Sequence, residues 1–419
     1  MQPATLHAPS YQLDELPRGS LARPRILWLA VSDGRGHLMR AQLMRQLLDG
    51  AGIDVDIVTT SDDGAAFVES FGAPCAVLSR HFGIHFDGQQ NLRKVRTAAG
   101  MFAYVLSPGR CRADLRWLER RARGAALVVN DSFHPALLVA GLGSGPLRGK
   151  LVQVYGETLR RAVQSFWGQR GPYADAVAGA LGRSRACIEH SFTEGPSDEP
   201  AVIRLPPLFA LPRRDRAEVR AALGVPEGGR LATIYLNPYF HDPALALALE
   251  RSLAAAGFTV HAVGEGFASR PGWHPRDPAL VEAVAAADLF VSAAGMASLG
   301  QARTFGVPFL AIATAQPEQR ANLAPLRAAA ASPRCRVVDV GADLAPRLAA
   351  ALGEMDFTGS RPDPRHAVMR LQARWVEAVT GLLREGPAAR SGAASEASTG
   401  AAPTTKRHER EARVGPNGQ

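Results

Sequence analysis

With 419 residues and 46% hydrophobic content, the chain can bury two ordinary cores, and two domains of about 150–200 residues are expected. Charged residues at 21% and a mean hydropathy near zero describe a globular chain rather than a fibrous or membrane-spanning one. The net charge of +9 does not select nucleic acid as partner, since lysine occurs only at 94, 150 and 406 and no arginine–aromatic interleaving accompanies the arginines.

Residues 1–23 are polar and proline-interrupted, lack the charged-then-apolar order of a signal peptide, and read as a flexible leader. Arg25 to Val31 is then a continuous apolar run that suits a strand buried on both faces. It enters the turn Ser32-Asp33-Gly34-Arg35-Gly36-His37 and a helix with Leu38, Leu43, Leu47 and Leu48 at helical spacing. A strand at Val55 to Thr59 and a helix at Asp63 to Phe71 follow. Between about 81 and 124 the pattern loosens into two helical segments rich in arginine. This insert reads first as a solvated face and second as a basic surface for an anionic acceptor or lipid phosphate, with Phe82, Phe86, Met101, Phe102 and Tyr104 as pocket candidates. The strand at Ala126 to Val129 runs into a loop carrying Asn130 and Asp131, and a helix begins at Ala136. Strands at Leu151 to Tyr155 and Ala186 to Glu189 enclose helices around 160–182, and a proline-marked passage at 195–212 reads as the domain boundary.

The second half restarts the alternation. A helix at Asp215 to Leu223 precedes a strand at Leu231 to Leu236. Asp242 before Pro243 then reads as the cap and first turn of another helix. A strand at Thr259 to Val263 leads to the stretch Ala287 to Leu323, a βαβα unit with a strand at Leu289 to Val291, a helix at Met296 to Phe305 and a strand at Phe309 to Ile312. A polar loop then delivers Gln316, Glu318, Gln319 and Asn322. Gly295 stands where a helix begins, and free backbone N–H groups with a partial positive charge suit a phosphate there. A strand at Val337 to Val340 and a last helix from Arg365 to Leu383 follow, and from 386 the composition falls to that of a disordered tail. Cys75, Cys111, Cys187 and Cys335 are too scattered for a metal or redox motif and read as reduced residues of a cytosolic protein. His134, His190, His241 and His274 lack metal-ligand spacing and read as structural or surface histidines, so no metal is expected. No run approaches the roughly 20 apolar residues of a membrane span, which leaves a cytoplasmic protein with room for peripheral membrane contact.

Two doubly wound α/β domains, a GxGH turn after the first strand and a glycine-rich unit ending in Glu-Gln together resemble the GT-B glycosyltransferases. Within them, the chain is similar to the inverting family-1 UDP-glycosyltransferases and the peptidoglycan lipid-intermediate N-acetylglucosaminyltransferase. The resemblance implies a Rossmann-like acceptor domain over 24–204, a Rossmann-like donor domain over 205–362, a C-terminal helix over 363–385, and a cleft between the domains. It implies that His37 is the general base toward an acceptor hydroxyl and that Asp131 orients it, with Gly34 and Gly36 in the phosphate or acceptor loop. Gly295 and Ser298 match the phosphate-binding turn. Glu318 and Gln319 match the pair that holds donor sugar hydroxyls, and Asn322 the asparagine that follows.

Departures from the family pattern are also legible. Gln301 replaces the ribose-gripping glutamate, Ala293 replaces a phosphate-binding histidine, and Asn237 to Asp242 lacks the glycines of the peptidoglycan enzyme. Retaining enzymes carry two glutamates seven residues apart in this region, and Ala293 and Gln301 occupy that spacing instead, which favours inversion. The expected activity is metal-independent, cofactor-free transfer of a sugar from a UDP- or dTDP-sugar to a small-molecule or lipid-linked acceptor, without nucleic acid. A non-catalytic nucleotide-sugar or partner-binding protein and a nucleotide-sugar 2-epimerase of the same fold are the alternatives.

Overall fold

The computed structural model describes residues 23–78, 85, 93–131, 133–158, 172–193, 195–197, 199, 201–314, 316–328, 332–359 and 361–385. The expected leader up to residue 22, the tail from 386, Phe82 and Phe86 of the insert, and the helical segment expected from 160 to 171 lie outside the described residues.

Among the described residues, seven parallel strands form the first sheet, in the order β3-β2-β1-β4-β5-β6-β7. They are β1 (Arg25–Ala30), β2 (Asp54–Thr59), β3 (Cys75–Val77), β4 (Ala125–Asp131), β5 (Leu151–Gly156), β6 (Ala186–His190) and β7 (Val202–Leu205). The apolar run at β1 explains why both faces are covered. Ile26, Trp28 and Ala30 enter one core with Leu38, Leu43 and Leu48 of α1 (Arg35–Asp49), while Leu27 and Leu29 enter another with Leu118 and Leu137. Those two residues belong to α4 (Pro108–Arg121) and α5 (Pro135–Leu142). Helix α2 (Asp62–Glu69) starts at Ser61, whose hydroxyl accepts from the Gly64 N–H at 3.0 Å. The insert forms α3 (Lys94–Leu106) before α4, with Arg93, Arg96, Arg110, Arg112 and Arg116 exposed.

The second sheet repeats the same winding over six strands, in the order β10-β9-β8-β11-β12-β13. These are β8 (Arg230–Leu236), β9 (Phe258–Gly264), β10 (Trp273–His274), β11 (Leu289–Ala293), β12 (Phe309–Ala313) and β13 (Cys335–Asp339). After α6 (Pro172–Arg183) and α7 (Arg216–Ala222) of the chain, its helices are α8 (Pro243–Ala255), α9 (Leu280–Ala286), α10 (Met296–Phe305), α11 (Pro317–Ala328) and α12 (Leu344–Gly353). Asp242 caps α8 as its sequence suggests, accepting from the Ala244 N–H at 2.9 Å. Gly306 closes α10 at φ 62°, a left-handed conformation that glycine adopts without penalty. The expected polar loop after β12 is corrected here. Pro317 occupies the first helical position, so Glu318, Gln319 and Asn322 stand on α11 instead.

The last helix, α13 (Arg365–Arg384), leaves the second domain and returns to the first, packing against α1 and β7. Val368, Leu371, Trp375, Val379 and Leu382 form its buried stripe. Trp375 Nε1 donates to the Pro206 carbonyl at 2.8 Å, and Arg185 donates to the Leu382 carbonyl. No helix among the described residues is long and apolar enough to cross a membrane.

Candidate active site

In an open parallel sheet the crevice lies where the chain reverses its winding direction, beyond the carboxyl ends of the two central strands. Here those strands are β1 and β4 in the first domain and β8 and β11 in the second. A cavity of about 400 Å³ lies between the two domains, lined by residues that follow all four strand ends.

The first domain supplies a charged cluster. Ala30 and Asp131 are paired at the ends of β1 and β4, so the turn after β1 brings His37, in the first turn of α1, onto Asp131. The two groups are 3.0 Å apart, between His37 Nδ1 and Asp131 Oδ1, with the carboxylate fully buried and the imidazole about a quarter exposed. With its proton on Nδ1, His37 donates to Asp131 and leaves Nε2 with a lone pair. Gly34 gives the ring its space, because a Cβ there would stand 3.0 Å from His37 Cδ2 and 3.1 Å from Nε2. A Cβ at Gly36 would meet nothing within 4 Å.

The sequence reading misses the third member of this cluster. Arg40 lies three residues after His37, hence on the same face of α1. Its Nε donates to Asp131 Oδ2 at 2.8 Å and its Nη2 to Oδ1 at 2.6 Å, while Nη2 also lies 2.9 Å from His37 Nδ1. Trp28 Nε1 donates to Oδ2 at 3.2 Å. Burial alone would raise the Asp131 carboxyl, but the charge and hydrogen bonds of Arg40, then those of His37, hold it well below the usual carboxylate range. A buried cation six atoms along a helix side chain has no motif of its own; its one signal is the i, i+3 spacing from His37.

The second domain faces this cluster with a helix start and small polar side chains, flanked by Glu265 and Glu318. Gly295 caps α10, and a Cβ there would meet nothing within 4 Å, so the backbone N–H groups of the first turn open onto the cleft. Ser298, whose hydroxyl is 3.0 Å from that of Ser292, and Gln301 also line the cleft. Glu318 lies on the same cleft wall; burial raises its carboxyl above the usual range, with His37 and Arg40 opposing the rise. Gln319 reaches the cleft too, but its amide is engaged, accepting from Thr314 Oγ1 at 2.9 Å and donating to Gln316 Oε1 at 2.9 Å. Asn322 is turned inward, where Nδ2 donates to the Ala294 carbonyl at 2.7 Å and steadies the turn before Gly295. Met296, read as helix packing, is buried and also borders the cleft.

Residues remote in sequence tie the two walls together. Arg35, in the first turn of α1, donates through Nε to Glu265 Oε1 at 2.8 Å and through Nη2 to Oε2 at 2.6 Å, and also pairs with Asp63 at 2.8 Å. Arg276 stands 3.6 Å from Glu265 and 3.8 Å from Asp63, and both guanidinium groups lie over the Phe67 ring, 4.9 and 5.6 Å from its centroid. Tyr239, after β8, is hydrogen-bonded to Asp33, after β1. Phe133, at φ 62°, is held in a conformation rare for a bulky residue and presents its ring to the cleft beside Tyr155. Among the described residues, no three His, Cys, Asp or Glu side chains converge to hold a metal ion.

No protein-family profile matches the chain, and no curated protein matches it. Solved structures do. The glycotransferase of kitacinnamycin shares 19% identity and a TM-score of 0.51, over 90% of this chain and 99% of that one. The glycosyltransferase SsfS6 of Streptomyces sp. SF2575 shares 17% identity and a TM-score of 0.52, over 85% and 99%. UGT89C1 of Arabidopsis thaliana, solved with UDP, shares 17% identity and a TM-score of 0.54, over 86% and 98%. At this identity the likeness establishes the architecture: two parallel-sheet α/β domains in the GT-B arrangement.

Proposed function

We propose that the protein is an inverting glycosyltransferase that moves a sugar from a nucleotide diphosphate, UDP or dTDP, to the hydroxyl of a small-molecule acceptor. One observation carries the reading: the His37–Asp131 pair at the end of the first sheet shares a cleft with the start of α10 and with Glu318 on the second domain. The reading assigns the acceptor to the first wall and the donor to the second. His37 Nε2 takes the proton of the acceptor hydroxyl as its oxygen forms a bond to the anomeric carbon, and Asp131 accepts from Nδ1–H throughout. The bond from that carbon to the diphosphate oxygen breaks, and the electron pair leaves with the diphosphate. Free N–H groups at the start of α10 meet the charge that develops there. Attack from the side opposite the leaving group inverts the anomeric centre. Glu318 accepts hydrogen bonds from the donor sugar hydroxyls, and Gln301 stands in for the ribose contact.

The test combines thermal shift with UDP-glucose and dTDP-glucose, release of nucleoside diphosphate over time, and the His37→Ala variant. Stabilisation by one donor and a loss of turnover of about 10²–10⁴-fold in His37→Ala are expected. No response to any donor, or unchanged turnover in the variant, overturns the reading. A non-catalytic nucleotide-sugar-binding protein is the second reading, favoured by Arg40, which already occupies both oxygens of Asp131. Donor stabilisation without release of diphosphate across an acceptor panel would select it.

A further inference from the structure

Several of the polar groups buried near the carboxyl end of the first sheet satisfy one another. Asn130 accepts from the His134 N–H at 2.8 Å and donates to Gln153 Oε1 at 2.9 Å, and Gln153 donates to Ser184 Oγ at 3.1 Å. His190, the last residue of β6, leaves both ring nitrogens over, whereas Thr59 and Thr158 each leave one hydroxyl oxygen without a partner among the described residues. The His190 side chain lines the cleft with the residue only 4% exposed, and neither ring nitrogen has a hydrogen-bond partner among the described residues. Buried polar atoms left unpaired in this way are uncommon and call for an explanation.

The neighbouring strand makes room for this ring. Gly156 ends β5 as the register partner of His190, and a Cβ at Gly156 would stand 2.8 Å from His190 Cε1. Any larger residue there would displace the imidazole from the cleft wall. Burial, then the charge of Arg40, keeps His190 well below the usual imidazole range, so the ring is neutral and offers one N–H and one lone pair. Leu43, Phe71 and Phe133 give this wall an apolar part beside the charged cluster of His37 and Arg40. A ligand group that completes His190 must therefore be small, uncharged and able to donate or accept, and it must hang from an apolar frame. A hydroxyl fits either tautomer. An ammonium would meet the field of Arg40, and an anion would use only the single N–H.

We propose that His190 is a specificity-determining residue that hydrogen-bonds a second hydroxyl of an uncharged, ring-containing acceptor, apart from the hydroxyl addressed by His37. This rests on the assignment of the first wall to the acceptor. It is tested without donor or turnover, by fluorescence titration of the full-length protein with 2-naphthol and with the dihydroxynaphthalene isomers. At least one diol is expected to bind about five- to tenfold more tightly than 2-naphthol, as one added hydrogen bond allows. That preference should fall to within about twofold in His190→Leu, while His190→Gln, which keeps a donor and an acceptor, should retain part of it. Gly156→Ala, which moves the ring without removing it, should also abolish the preference, and it carries the test if His190→Leu does not fold. No diol outbinding 2-naphthol, or a diol preference that survives His190→Leu and Gly156→Ala, overturns the proposal. Failure of sugar transfer itself is read separately, from donor response and diphosphate release.

Discussion

The two halves of the cleft have the same strand order and different chemistry. In the first domain the turn after β1 and the end of β4 bring together four side chains, His37, Arg40, Asp131 and Trp28, bonded to one another. In the second domain the corresponding point is a glycine, two small hydroxyls and the end of a helix. Winding decides where a site can lie, because strand ends and helix starts converge there whatever the sequence. Side chains decide how the two points differ: one carries a hydrogen-bonded charged cluster, and the other a helix start beside small hydroxyls.

Four measurements would break or sharpen this contrast. The largest effect is expected from Asp131→Asn, which leaves Arg40 buried without its charge partner. Stability in urea should fall by about 3–5 kcal/mol, and a loss below about 1 kcal/mol would show that the charged wall does not depend on this pair. The same pair has a pH signature. Because the folded-state Asp131 carboxyl lies below the usual range of about 4, its contribution is full above that value and disappears as pH falls through the folded-state value. Acid unfolding of Asp131→Asn should therefore be shallower than that of the parent. Next, Glu265→Gln removes the charge that joins the second domain to Arg35. A drop of about 1.5–3 kcal/mol is expected, and it should shrink in high salt; equal curves at low and high salt would argue against an ionic tie.

Gly295→Asp addresses the helix start on the second wall. The new side chain has room, so melting should be unchanged, while its charge at the helix start should weaken UDP binding at least about tenfold, or 1.4 kcal/mol. Unaltered UDP affinity would place the diphosphate elsewhere. The smallest effect concerns Glu318. Its raised carboxyl keeps a proton in the folded state at pH values where the unfolded chain has lost it, so the protein loses stability as pH rises through that window. Glu318→Gln lacks this slope, and the change in Tm from pH 4.5 to pH 7 should be more positive in the variant than in the parent. An identical difference would mean that Glu318 is solvated in the folded state.

Much of the architecture is legible in the sequence because strands buried on both faces read as unbroken apolar runs, as at Arg25 to Val31 and Leu289 to Val291. The pairing of His37 with Asp131 is legible for a related reason: both follow central strands of one sheet, and topology does the rest. Arg40 is not, because an arginine on a helix reads as solvent-facing until a buried carboxylate is found opposite it. His190 reads from the sequence as a structural or surface histidine, since nothing in Ala186–His190 distinguishes a histidine packed in a core from one that ends its strand in a cleft. The Arg35–Glu265 tie joins residues 230 positions apart and has no local signal at all. Asn322 shows the limit of carrying a motif across, because its amide is spent on the Ala294 carbonyl, behind the surface that the motif places it on.

The return of α13 to the first domain sets an order of events at the ribosome. Trp375 is fully buried against residues of the first domain and the crossing segment, and α1 rests on the helix that carries it. The first domain is synthesised first, yet the helix that packs on its α1 and β7 follows the whole second domain. While some 150 residues of the second domain are being added, the face of α1 and β7 on which this helix packs is without it. Completion of the older half thus waits until the second domain has been added, and a chain stopped before residue 365 would lack the helix that packs on α1 and β7.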